Sequence, residues 1–211
     1  MFKNPDTRYI SLCDAFTRGT TPPFEDWELD VRFHGKKTGG LAGVYVSESR
    51  KERVLVFRGS SGDTFQDTLR NVMTDVNFFA TPITGVHRGF LRMLHDLVPY
   101  GVVDYHDYPL TVTGTSMGGA LALLYARTFG CAEVRVFGCP KVTKHPRRLR
   151  ARLRRQVSGN VRNYQLDGDI VTQLPPFRAW RHVGKVIELP GVWGPEHSRQ
   201  RYIEALEEAD V

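Results

Sequence analysis

One segment of the chain carries residues whose order has a chemical use: Leu110-Thr111-Val112-Thr113-Gly114-Thr115-Ser116-Met117-Gly118-Gly119-Ala120. Ser116 stands between glycines two residues to either side, with a strand-like apolar run before it and a helix-like apolar run after it. A glycine–x–serine–x–glycine pattern is short enough to arise by chance. Between a strand and a helix it has a mechanical reason. A serine at the tip of a sharp, strained turn lifts its hydroxyl above the sheet, and side chains at the two glycine positions would collide with the neighbouring strand and helix. The following helix aims its positive dipole end at the same spot. The chemistry such a serine does is nucleophilic attack on an acyl carbon. The backbone N–H of Met117, directly after the nucleophile, is an expected donor to the oxyanion that forms.

A serine hydroxyl needs a base, and the base needs an orienting acid. On a strand–turn–helix of this kind the chain order is serine, acid, histidine. His34, His87, His95 and His106 precede Ser116 and drop out as bases, which leaves His145, His182 and His197. His145 lies in a basic stretch before any candidate acid, and His182 opens the last predicted strand. His197 follows that strand in the loop Gly194-Pro195-Glu196-His197-Ser198, from which it can reach back over the sheet edge. It is the expected base. For the acid, Asp167 and Asp169 both lie in Asp167-Gly168-Asp169-Ile170-Val171, just after a predicted strand. Periodicity leaves the two open.

The elements around these residues alternate strand with helix. Strands are expected at Leu41–Val46, Arg53–Phe57, Leu110–Thr113, Glu133–Phe137, Val161–Leu166 and Val183–Leu189. Helices are expected at Thr64–Asn71, Val86–Val98, Ser116–Thr128, over the basic stretch from Lys144, and at Glu196–Glu208. Val54-Leu55-Val56-Phe57 is continuously apolar rather than alternating, as a strand buried on both faces must be. The expected fold class is therefore α/β, with a mainly parallel central sheet and helices on both faces. Its 211 residues suffice for one sizeable core, and no connection is long enough to be a domain linker, so one domain over 1–211 is expected.

Composition narrows the classes. Apolar content of 41% with aromatics spread throughout argues against disorder. No apolar run approaches a spanning helix, and Met1 to Ile10 has no signal-peptide core. The expected location is cytoplasmic, or outside by a route other than Sec. Three cysteines, Cys13, Cys131 and Cys139, fit buried free thiols rather than a disulfide framework or a zinc site. The formal charge is +6, and much of the excess falls between Lys144 and Arg155. That stretch reads either as an attraction to anionic lipid or nucleic acid or as a solvated helix face pinned by Leu149 and Leu153. No aromatic residues interleave with its arginines, which argues against single-stranded nucleic acid.

Several separated segments together resemble the class 3 lipases, the family of the fungal triacylglycerol lipases, within the α/β-hydrolase fold. The resemblance covers roughly residues 41 to 203. Val54-Leu55-Val56-Phe57-Arg58-Gly59-Ser60 is similar to the family's strand and oxyanion loop, and Val86-His87-Arg88-Gly89-Phe90 to its His-x-Gly-Phe segment. The Ser116 segment resembles its elbow, with Thr115 and Met117 where the family usually has His and Leu. Val136-Phe137-Gly138-Cys139-Pro140-Lys141-Val142 and Asp169-Ile170-Val171-Thr172-Gln173-Leu174-Pro175-Pro176 resemble its next strand end and its acid segment. His197 with Tyr202 resembles its terminal His and Tyr, at longer spacing.

The resemblance implies a triad of Ser116, Asp169 and His197, with Asp167 left as a surface or capping residue. It implies Ser60 as the second oxyanion donor beside Met117. It implies a carboxylic-ester hydrolase, a lipase or esterase that needs no metal or organic cofactor and meets lipid surfaces transiently. No specific nucleic-acid partner is expected. Phe65, Leu69, Val72 and Met73, at helical spacing, read as a small amphipathic lid or an ordinary packed helix. The alternatives are an acyltransferase with the same triad, and a non-catalytic binding protein on the same fold that uses its basic surface.

Overall fold

The computed structural model describes residues 2–24, 26–59, 85–97, 107–191 and 197–209. Seven strands form one sheet: β1 (Glu28–His34), β2 (Leu41–Ser47), β3 (Glu52–Phe57), β4 (Leu110–Thr115), β5 (Glu133–Phe137), β6 (Val161–Leu166) and β7 (Lys185–Leu189). They lie side by side in chain order. β1, β2 and β3 pair antiparallel, and every pairing from β3 to β7 is parallel. The mainly parallel sheet expected from the alternation is present.

Chain order in the sheet dictates where the helices go. α2 (Arg88–Leu97) lies between β3 and β4, α3 (Met117–Phe129) between β4 and β5, and α4 (Pro146–Gln156) between β5 and β6. Each connection steps one strand in the same direction, so right-handed crossovers place all three helices on one face. Phe90 and Leu94 of α2, Leu121 of α3 and Leu149 and Leu153 of α4 form one core with Leu55, Phe57, Val112 and Val136.

The opposite face is covered by the chain ends. α1 (Thr7–Arg18) and α5 (Arg199–Glu208) pack Tyr9, Leu12, Phe16, Tyr202 and Leu206 against Val54, Val56, Phe137 and Tyr164. Neighbouring residues of β3 thus enter opposite cores, which is why that strand is apolar without interruption. Each large side chain fully buried this way contributes roughly 1.5–3 kcal/mol.

The sequence reading places no element before Leu41, whereas α1 and β1 both lie there. α1 buries Tyr9, Leu12, Cys13 and Phe16, spaced i, i+3, i+4 and i+7. Gly19 closes it in the left-handed region at φ 69°, its N–H bonded to the Ala15 carbonyl. β1 is an edge strand that buries only Phe33 and leaves Glu28, Asp30 and Arg32 exposed, so it lacks the alternation of a half-buried strand. The helix expected at Thr64–Asn71 lies outside the described residues.

α1 is also tied down by charge. Asp6, just before the helix and 3% exposed, lies 2.9 Å from Arg135 Nε and 2.8 Å from Arg162 Nη1. The Tyr164 hydroxyl donates a hydrogen bond to the same carboxylate. Arg135 and Arg162 stand opposite each other on β5 and β6, so one aspartate bridges two strands to the helix that covers them.

Candidate active site

β4 ends at Thr115 and α3 begins at Met117, so Ser116 is the whole turn between them. Its φ of 55° and ψ of −128° lie where L-residues rarely go, at a cost of about 1–3 kcal/mol. The surroundings hold it there. Ser116 N–H donates to the Phe137 carbonyl at 2.9 Å, and its own carbonyl accepts from Gly119 N–H at 3.0 Å. A Cβ on Gly114 would lie 2.4 Å from the Gly118 carbonyl group, and one on Gly118 would lie 2.2 Å from the Phe57 carbonyl oxygen. Both glycines are needed because strand, turn and helix meet there backbone to backbone. Ser116 is 4% exposed, and its Oγ has no hydrogen-bond partner among the described residues. A buried hydroxyl left unpaired costs about 1–3 kcal/mol.

The acid and the base come from beyond β6 and β7. Asp169 follows the Asp167–Gly168 turn at the end of β6, and a short 3-10 turn over Ile170–Gln173 begins directly after it. The Asp169 carboxylate is fully buried and accepts three hydrogen bonds. Val171 N–H donates to Oδ1 at 2.9 Å, while His197 Nδ1 and the Tyr202 hydroxyl each lie 2.7 Å from Oδ2. A carboxylate only accepts, so His197 Nδ1 carries a proton, and in the neutral ring Nε2 then keeps its lone pair. Tyr202, on α5, in turn accepts from Leu166 N–H at 3.1 Å. Burial first, and then the Asp169 charge, push the Tyr202 phenol well above its ordinary value, so it stays a donor. Three donors satisfy the carboxylate, the condition for a buried charge to be tolerated.

The structure therefore joins Asp169 to His197 and leaves Asp167 exposed at the turn. It records no hydrogen bond between Ser116 Oγ and His197 among the described residues. The two sit on either side of the end of β5. Phe137 takes the Ser116 N–H, and the His197 ring lies over the next residue, Gly138. Gly138 has φ 59°, and a Cβ there would come within 2.6 Å of His197 Cε1 and 3.1 Å of Asp169 Oδ2.

Gly138 is a site residue that sequence reasoning treated only as a strand end. Gly59, in the segment that resembles the oxyanion loop, also abuts the elbow, since its Cβ would lie 2.8 Å from the Thr115 carbonyl and 3.4 Å from Ser116 Cβ. The exclusion of a side chain at such glycines is set by contacts from distant segments, and no local pattern reports them.

The other candidates resolve as follows. His182 Nε2 faces the Thr172 carbonyl at 2.8 Å, and burial lowers the ring to about 4. It braces the turn beside Asp169 instead of facing Ser116. His145 is exposed next to α4. His87 is wholly buried against the Phe90 and Trp180 rings and is likewise lowered to about 4 by burial. Cys139 packs beside the elbow helix near Gly119, donates to the Pro140 carbonyl and is pushed far up by burial, so it is an inert thiol. Cys13 is buried as expected, whereas Cys131 is only half-buried. Met117 opens α3, with its N–H in the first turn at the positive end of the helix dipole. Ser60 and the segment Phe65–Met73 lie outside the described residues. Among the described residues no group of three or more His, Cys, Asp and Glu side chains is placed to hold a metal ion, and no helix is long and apolar enough to cross a membrane.

Comparison with known proteins matches this arrangement to one family. The sequence profile of Lipase (class 3) matches residues 54–179, from β3 through the acid turn. A lipase of Rhizomucor miehei is 34% identical over 122 residues, covering 48% of this chain and 32% of that protein. The chain thus aligns with about a third of that relative's length. The Rhizomucor miehei lipase propeptide complex superposes with a TM-score of 0.70 at 25% identity, over 87% of this chain and 67% of that one. Lip2 lipase from Yarrowia lipolytica superposes with a TM-score of 0.69 at 21% identity, over 87% and 77%. A triacylglycerol lipase whose catalytic centre is described as a serine protease triad gives 0.63 at 24%, over 87% and 77%. With its α/β-hydrolase sheet and most of its length matched, the chain belongs to the class 3 lipase family.

Proposed function

We propose that the chain is a serine carboxylic-ester hydrolase of the lipase or esterase type, with Ser116 as nucleophile, His197 as base and Asp169 as its orienting acid. The observation that carries the reading is a buried Ser116 hydroxyl, without a partner among the described residues, on a strained turn one strand end away from a histidine whose Nδ1 is held by a buried carboxylate. That carboxylate fixes the tautomer that leaves Nε2 free to take a proton. Ser116 Oγ attacks the ester carbonyl as its proton passes to His197 Nε2. Asp169 stabilises the imidazolium without being protonated itself. The negative charge on the former carbonyl oxygen falls to the backbone N–H of Met117 and to Ser60, each donor contributing on the order of 3 kcal/mol. His197 then protonates the leaving alcohol. A water activated by the same ring splits the acyl-enzyme. The triad named for one structural neighbour supports this assignment.

Apolar surface beside the acid turn favours an ester with an apolar acyl part. Ile170, directly after Asp169, is 45% exposed and Phe177 is 58% exposed. The test is Ser116→Ala, assayed with p-nitrophenyl esters from acetate to palmitate. We expect kcat to fall by roughly 10⁴-fold or more, from the loss of the nucleophile. Hydrolysis at the wild-type rate would refute the assignment. The same series in the wild-type protein places the acyl preference.

A further inference from the structure

The arginines of α4 are absorbed by nothing described above. The helix carries Arg147, Arg148, Arg150, Arg152, Arg154 and Arg155 and no acidic residue, as many positive charges as the chain's whole formal excess of +6. Leu149 and Leu153 anchor it in the core, and all six arginines are exposed. Among the described residues none of the six has a carboxylate partner. The charge is felt by its neighbours. Arg127 at the end of α3 is held below the ordinary guanidinium range, first by burial and then by Arg152. One side of the helix also walls a depression of about 490 Å³, bounded by Arg150, Arg154 and Lys185 around Leu153 and Gly184. The depression opens at the starts of β6 and β7, the sheet edge opposite Ser116.

We propose that α4 and this depression form a docking surface for an anionic phospholipid bilayer, with one headgroup phosphate seated between Arg150, Arg154 and Lys185. Guanidinium forks match phosphate oxygens in pairs, and a rigid row of them about 16 Å long spans several headgroups. α4 offers no aromatic side chain on which a base could stack and exposes no large apolar one, so the contact is electrostatic adsorption, sensitive to salt. The choice of a lipid surface among polyanions rests on the ester-hydrolase reading; the unpaired arginine face does not. Because the face lies away from the Ser116 edge, docking and turnover are separable.

The experiment is co-sedimentation of the full chain with phosphatidylcholine vesicles and with mixed phosphatidylcholine–phosphatidylserine vesicles at low and high salt. A labelled DNA duplex serves as competitor, and p-nitrophenyl acetate turnover is measured alongside. Binding is expected on the anionic vesicles only, and lost at high salt. The triple variant Arg150→Gln, Arg154→Gln, Lys185→Gln changes exposed side chains only, and its thermal midpoint checks folding. It should bind on the order of a hundredfold more weakly, about fivefold per charge, with turnover unchanged. A control that removes as many charges elsewhere, Lys36→Gln, Lys37→Gln, Lys51→Gln, should bind as wild type does.

Equal binding to neutral and anionic vesicles overturns the proposal. So does a triple variant that binds normally, or a control that loses as much. A duplex that outcompetes the vesicles assigns the face to nucleic acid and also overturns it. Absent turnover with intact vesicle binding counts against the hydrolase reading alone. Absent vesicle binding with intact turnover counts against the docking surface alone.

Discussion

Two buried aspartates sit in nearly the same surroundings and do different work. Asp6 is gripped by a tyrosine hydroxyl, Tyr164, and by cations, Arg135 and Arg162. Asp169 is gripped by a tyrosine hydroxyl, Tyr202, and by a nitrogen base, His197. The difference is the proton. A guanidinium holds its charge at every pH a protein meets, so the Asp6 cluster has one state and can only fasten α1 to β5 and β6. An imidazole is a side chain that can take up and release a proton, so in the proposed mechanism the same carboxylate geometry at Asp169 would stabilise a charge that comes and goes. The backbone differs as well. Asp6 leads into a regular helix, whereas Asp169 and His197 close over Gly138, the residue after the Phe137 carbonyl that holds the strained Ser116. Ser116 combines a strained backbone with a buried hydroxyl that has no partner among the described residues.

Neutralising each carboxylate in turn separates the two clusters. Asp169→Asn replaces an acceptor with an amide that donates to Nδ1, so His197 takes the wrong tautomer and its Nε2 can no longer accept the Ser116 proton. We expect kcat on a soluble ester to fall about 10⁴-fold, near 5.5 kcal/mol of barrier, with the chain still folded by circular dichroism. A loss under tenfold would remove Asp169 from the triad.

Asp6→Asn should do the reverse. It leaves Arg135, 3% exposed, with only the half-buried Glu133 carboxylate, 2.6 Å from its Nη2, as counter-charge, at a cost of about 1–3 kcal/mol in urea unfolding, while kcat/KM of the folded chain is unchanged. Arg162 is about a third exposed, so its share is small. The pH dependence separates this from a packing defect. Burial pushes the Asp6 carboxyl up, but the Tyr164 hydroxyl and the two arginines outweigh it and hold it below its ordinary 3.8. Stability from a lowered carboxyl is fully present above the ordinary value and is lost as pH falls through the lowered one. The gap between wild type and Asp6→Asn should therefore be full at neutral pH and close in acid. A gap that persists below both values would mean that shape, not charge, is what Asn lacks.

The same contrast marks what can be read without coordinates. Ser116 and Gly114 are legible because their constraint is local: the neighbours that forbid a Cβ on Gly114 are Gly118 and Gly119, whereas Gly118 itself answers to the distant Phe57 carbonyl. His197 follows from chain order. Asp167 and Asp169 are not separable by period, since the turn at Gly168 breaks the strand's alternation, and the exposed and the buried carboxylate differ only in how that turn is closed. Family resemblance selects Asp169, and in the structure it is the one paired with His197. Gly138 is illegible because its reason is a ring 59 residues further on. α1 escapes for the same cause. Its Asp6 is explained by Arg135 and Arg162, more than a hundred residues away.

Tyr202 offers the finest test, because it belongs to both descriptions at once. Its hydroxyl braces Asp169, as Tyr164 braces Asp6, and it also takes the Leu166 N–H at the end of β6. Tyr202→Phe removes one of three hydrogen bonds to the acid and leaves a buried N–H without its acceptor. Loss of the N–H acceptor predicts about 1–2 kcal/mol of stability in urea. Loss of the brace predicts a fall in kcat of about tenfold or less, because His197 and Val171 still hold the carboxylate. KM for a soluble ester should stay where it was, since Tyr202 lies behind the acid and is 2% exposed. A fall in stability with kcat untouched would make Tyr202 the counterpart of Tyr164, a fastening and nothing more. A fall in kcat with KM fixed makes it a positioning residue, one whose hydroxyl keeps Asp169 aimed at Nδ1 through each turnover.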